Sequence, residues 1–119
     1  MIEILNLEQK NLIAAKISGR LTAQDVKKIH PLIHSVLDND SKVNFYFEIE
    51  EFDGYTLKGF WEDLKIDSQH TADYGKMVFV GSKKWQEWAA KATDFFTGSE
   101  VKFFEMSQRN DARKWIKNL

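Results

Sequence analysis

Four carboxylates, Glu48, Glu50, Glu51 and Asp53, crowd into six positions at the end of an apolar stretch. Paired carboxylates can divide general acid and general base work when a pocket and a partner group hold them apart in pKa. The same cluster at the end of a strand is more simply a solvated edge. His30 and His34 stand four apart, the spacing that presents two imidazoles to one metal from a helix. A site also needs a third ligand and a supporting shell. His70 is the only other histidine, so two surface histidines are the plainer reading and no metal is expected. Gly81-Ser82-Lys83-Lys84 joins an apolar run to a helical pattern, where backbone amides can hold an anion. The string lacks the further glycines of a phosphate loop or a dinucleotide fingerprint, so no cofactor is implied.

Aromatic residues supply the largest excess. Phe60, Trp61, Trp85, Trp88, Phe95 and Phe96 fall on two segments, 57–66 and 83–96, at helical spacing. Most of these rings are accounted for by packing against a sheet. Adjacent Phe95 and Phe96 lie about 100° apart on a helix, so a narrow core face takes only one of them squarely. With Lys83, Lys84 and Lys91 alongside, the rings also suit a membrane interface, a partner groove or a pocket for an acyl-like ligand.

The elements that must position these groups follow from periodicity. Ile2 to Leu7 and Leu12 to Ile17 flank the polar Glu8-Gln9-Lys10-Asn11 and predict a β-hairpin. Thr22 is suited to cap a first helix carrying Val26, Ile29, Ile33, Val36 and Leu37, and Pro31 within it predicts a kink or a break into two pieces. Val43, Phe45, Phe47 and Ile49 alternate with Asn44, Tyr46, Glu48 and Glu50, predicting a third strand that ends at Glu50 or Glu51 and has one better-buried face. Thr56 opens the second helix, and Met77-Val78-Phe79-Val80 has the unbroken apolar character of a central strand covered on both faces. The third helix ends near Gly98. Val101 to Phe104 then forms the last strand, and Ser107 caps a final helix with Ala112, Trp115, Ile116 and Leu119 inward. The order β-β-α-β-α-β-α-β-α predicts a mixed, mostly parallel five-stranded sheet with about four helices, joined by right-handed crossovers.

Composition narrows the function. At 119 residues, with 43% apolar and 29% charged residues, the chain is read as one globular domain, 1–119. Seventeen basic and eighteen acidic residues leave a net charge of -1, which gives nucleic acid no positive field to bind. The absence of cysteine removes thiolate chemistry and fits a reducing compartment. The opening Met1-Ile2-Glu3-Ile4-Leu5 is not a signal-peptide pattern, and no apolar run is long enough to span a bilayer. A cytoplasmic protein is expected, with any membrane contact peripheral at the inner face.

Several local strings carry a resemblance. They are Gly54-Tyr55-Thr56-Leu57 running into Phe60-Trp61-Glu62-Asp63-Leu64-Lys65, Met77-Val78-Phe79-Val80-Gly81-Ser82-Lys83-Lys84-Trp85, and Val101 to Glu105 with Asp111-Ala112-Arg113-Lys114-Trp115-Ile116. With the element order, these resemble the SpoIIAA-like family, relatives of the STAS domains of anti-sigma factor antagonists. The broader fold is shared with Sec14-type lipid carriers, which raises the prior for apolar ligands only by analogy. The resemblance implies a βα superhelix and, in the phospho-switch STAS proteins, a phosphorylated Ser in a motif like Asp-Ser-x-Gly-Leu. Here Phe52-Asp53-Gly54-Tyr55-Thr56-Leu57 lacks that Ser. Thr56 is the only hydroxyl placed similarly, so Asp53, Tyr55 and Thr56 are the candidate phospho-acceptor or partner contacts, and a plain N-cap is the simpler role for Thr56. The expected function is a non-enzymatic STAS-like regulatory module that engages a protein partner or an apolar, lipid-like ligand. The alternative is a peripheral membrane protein that binds lipid through the two aromatic helices, and a homodimer is compatible with either.

Overall fold

The computed structural model describes residues 1–39, 42–53, 59, 62, 74–87, 90 and 99–117. Five strands form one sheet in the order β1-β2-β3-β4-β5, with β1 (Ile2–Leu5), β2 (Leu12–Arg20), β3 (Val43–Asp53), β4 (Tyr74–Gly81) and β5 (Glu100–Glu105). The β1–β2 pair is the expected antiparallel hairpin, and every other pairing is parallel. Of the four expected helices the first and last are described. The first is in two pieces, α1 (Ala23–Lys27) and α2 (His30–Asn39), and the last is α3 (Arg109–Lys117). Gly59, Glu62, Gln86, Glu87 and Ala90 are helical, and the rest of the two middle helices lies outside the described residues.

The break in the first helix sits where proline chemistry requires it. Pro31 is the second residue of α2, so the amide it lacks is one that a helix start leaves unused. Upstream, Thr22 closes α1 with a capping box: its hydroxyl accepts from the Asp25 amide while the Asp25 carboxylate accepts from the Thr22 amide. Burial works to raise the Asp25 pKa, but the hydrogen bonds from Thr22 outweigh it and hold the carboxyl below its usual range.

Both faces of the sheet are packed, as the apolar run of β4 predicts, and on β3 the face expected to be the less buried one is covered too. On one face Ile13, Ala15, Ile17, Phe45, Phe47, Ile49, Met77 and Phe79 pack against Val26, Ile29 and Ile33 from α1 and α2. Phe47 and Phe79 are register partners on neighbouring strands and stack with ring centroids 5.6 Å apart. On the other face Ala14, Tyr46, Val78 and Val80 pack against Ala112 and Ile116 of α3. The unbroken apolar run of β4 is therefore central, as its composition indicated.

Two irregularities shape the strand ends. Strand β3 continues to Asp53, beyond the expected end at Glu50 or Glu51, because its register against β2 shifts between Ile17 and Gly19 and places an extra residue on β3. The alternation breaks at that bulge, which leaves consecutive Glu50 and Glu51 both exposed. Gly19 lies at φ 63°, in the left-handed region that glycine adopts freely. Between β3 and β4 the register shifts again, and the buried Asn44 side chain accepts the Lys76 amide at 2.7 Å. A side chain at Gly75 would come within 2.5 Å of that same Asn44 oxygen, so only glycine fits beside it.

Candidate functional site

Glu48 is the acidic residue whose surroundings differ most from expectation. It stands on β3 beside Val80 of β4 and is only 4% exposed. The Tyr46 hydroxyl donates to Glu48 Oε1 at 2.6 Å, and Arg113 Nη2 donates to the same oxygen at 2.8 Å. Arg113 Nε also donates to the Tyr46 oxygen at 3.3 Å, and Arg109 Nε stands 4.0 Å from the Glu48 carboxylate. Arg109 and Arg113 are one turn apart on α3, so one face of that helix carries both guanidinium groups toward a single acid. Burial, and then the bond to Glu48, push the Tyr46 pKa well above the ordinary phenol range. The bond to Tyr46, followed by that to Glu48, raises the pKa of Arg113 still further, so it stays charged. A protonated phenol, a carboxylate oxygen that accepts two hydrogen bonds and a charged guanidinium together tie α3 to the sheet.

A second arrangement lies at the carboxyl ends of β4 and β5. After Gly81 the chain enters a 3₁₀ turn, Lys83–Trp85, and Trp85 packs into the core on the α1–α2 face. A side chain at Gly81 would meet the Ile49 carbonyl oxygen at 3.0 Å and Trp85 Cδ1 at 3.2 Å, so glycine lets Trp85 close over the strand end. After Glu105 the chain enters another 3₁₀ turn, Met106–Gln108, and leads into α3 on the opposite face. Ser107 is thus not the cap of the last helix: it lies within that turn, which is closed by Glu105 and Gln108 bonding each other's backbone amides. Gly81 and Glu105 are register partners, and the chain leaves these adjacent positions toward opposite faces of the sheet. Between them opens a crevice of about 190 Å³ lined by Lys83, Gln86, Phe103, Glu105 and Gln108. Divergent connections at the carboxyl ends of parallel strands are the usual place for ligands in open α/β sheets.

A family model described as SpoIIAA-like matches residues 12–117. The chain belongs to the SpoIIAA-like family. Among solved structures, this SpoIIAA-like chain is similar to an uncharacterised protein of Shewanella loihica PV-4 with a SpoIIAA-like fold. The identity is 30%, the TM-score 0.69, and the match covers 98% of this chain and 92% of that one. No curated protein matches.

The candidate residues of this SpoIIAA-like chain divide sharply. The Asp53 backbone ends β3, while Tyr55, Thr56, Phe60, Trp61, Trp88, Phe95 and Phe96 lie outside the described residues, as do the Asp53 side chain, Lys91 and His70. Trp85 is described, and at 8% exposure it is a core residue, as the packing account of the aromatic helix expects. Glu50 pairs with Lys16 at 2.8 Å, and Glu51 pairs with Lys84. Both pairs are exposed and add little stability, in keeping with a solvated edge. Glu48 leaves that cluster for the sheet interior. Among the described residues no group of three His, Cys, Asp or Glu side chains is placed to hold a metal, and no helix is long and apolar enough to cross a membrane. Sequence reasoning missed Arg109 and Arg113. The signal available was two arginines four apart on the last helix, matched by acids on the polar side of β3.

Proposed function

We propose that this protein is a single-domain, non-enzymatic regulatory module that engages a protein partner through the carboxyl edge of β4 and β5. Family membership supports a regulatory role, and the crevice where the two connections diverge is the observation that carries the choice of edge. The Tyr46–Glu48–Arg113 cluster favours binding over catalysis, because its groups are spent on one another rather than aimed at open space.

A photo-crosslinking residue at Gln86, compared in living cells with one at Glu3 on the β1 edge, tests the choice. A discrete adduct from position 86 and none from position 3 is expected. Equal adducts from both, or none from either, would remove the carboxyl edge as the partner surface. The alternative, a lipid-like ligand or membrane contact through the aromatic segments 57–66 and 83–96, predicts different results. Native mass spectrometry would then show a lipid-sized adduct, and Phe95→Asp with Phe96→Asp would abolish liposome co-sedimentation.

A further inference from the structure

We infer that the crevice between β4 and β5 binds a small zwitterion of amino-acid size, its carboxylate on Lys83, its ammonium on Glu105 and its apolar side chain over Phe103. The inference rests on the carboxyl edge being the binding edge, and it names the chemistry that edge accepts.

Size sets the first limit. A volume of about 190 Å³ corresponds to roughly six waters at ~30 Å³ each. Drug-sized and cofactor ligands occupy pockets of about 300 to 1,000 Å³, so the crevice matches a smaller molecule.

Charge sets the second. Lys83 and Gln86 stand on the wall that leaves β4, and Glu105 and Gln108 on the wall that leaves β5. Among the described residues neither the Lys83 ammonium nor the Gln86 amide has a hydrogen-bond or ion-pair partner. The Gln108 side-chain oxygen accepts the Glu105 amide at 3.2 Å, which leaves its NH₂ group to donate. The Glu105 carboxylate accepts the Gln108 amide in return and keeps further lone pairs for a cation. A simple anion would be opposed by Glu105 and a simple cation by Lys83. A neutral apolar group would desolvate both charges without compensation. A ligand carrying both signs satisfies both walls, and the half-buried Phe103 ring between them offers apolar contact to a side chain.

Amide chemical shifts of the full chain, followed by NMR during titration with L-leucine, N-acetyl-leucine or leucinamide, test the inference. Saturable shifts at Lys83, Gln86 and Gln108 are expected with L-leucine. Each capped analogue loses one charge-assisted contact and binds about tenfold more weakly. Lys83→Met and Glu105→Gln weaken L-leucine to a similar degree with unchanged circular dichroism, since a glutamine at 105 still accepts the Gln108 amide. Absence of saturable shifts with L-leucine overturns the inference. So does a capped analogue that binds as tightly as L-leucine, which would mark the crevice as a site for the end of a partner chain. A silent titration beside a persistent crosslink from position 86 rejects the zwitterion and leaves the partner edge standing. Silence in both rejects the edge itself.

Discussion

Replacing Arg113 by Met is predicted to destabilise the protein by about 2.5 kcal/mol, a value near the lower end expected when one partner of a buried ion pair is removed. The lower end applies for two reasons visible in the structure. The Arg113 side chain is 35% exposed and the Glu48 side chain 5%, so only one member is fully desolvated. Arg109 also remains 4.0 Å from the carboxylate and supplies part of the lost field. A protein of this length has roughly 6 to 18 kcal/mol of total stability, so the loss is a substantial fraction of it. Urea denaturation at neutral pH, with a slope of about 1.5 kcal/mol per molar, would show the midpoint falling by roughly 1.5 to 2 M. The companion variant Glu48→Gln keeps an acceptor for the Tyr46 hydroxyl. The double variant should cost at least about 1 kcal/mol less than the sum of the singles, because removing both charges leaves neither stranded. Additivity within about 0.3 kcal/mol, or a loss below about 0.5 kcal/mol for Arg113→Met alone, would show that the cluster does not hold α3 to the sheet.

Tyr46 gives a second test. Its folded pKa lies above the unfolded value near 10, so the associated stability is fully present below pH ~10 and is lost as pH rises through the folded value. Tyr46→Phe should cost about 1 to 2 kcal/mol at neutral pH and flatten the alkaline fall, read by denaturation between pH 9 and 11; an unchanged alkaline slope would remove Tyr46 as its source. Gly81→Ala forces the Ile49 carbonyl and Trp85 apart and should lower stability by about 1 to 3 kcal/mol with a change in Trp85 fluorescence. A neutral effect on both would show that the strand end relaxes freely.

Local chemistry was legible in the sequence, and long-range geometry was not. The helix break at Pro31, the Thr22 cap and the buried run of β4 each depend on residues within one turn or one strand, and each stands where its residues placed it. Glu48 was read as part of a solvated strand end because its alternation with apolar residues is the usual mark of a half-buried strand. Its true partner is Arg113, 65 positions away on a helix whose choice of face no periodicity records. The end of β3 was set too early for a related reason: a bulge breaks the alternation while the pairing with β2 continues. The crevice depends on which face the chain takes after β4 and after β5, so its lining residues appear in the sequence as unrelated polar positions. Ser107 does not cap the final helix because the chain makes one more turn, closed by Glu105 and Gln108, before α3 begins.

The position of α3 also sets an order of events during synthesis. Tyr46, Glu48, Val78 and Val80 face the side of the sheet that α3 packs against, and α3 follows every strand in the chain. At about 10 residues per second, Arg113 emerges some six seconds after Glu48. Until α3 arrives, Tyr46, Val78 and Val80 lack the Ala112 and Ile116 contacts that pack against them in the folded chain, and Glu48 has the Tyr46 hydroxyl but neither arginine beside it. An inward-pointing charge on an uncovered sheet face disfavours pairing with other chains, so the same carboxylate that later anchors α3 is also the residue on that face least suited to aggregation.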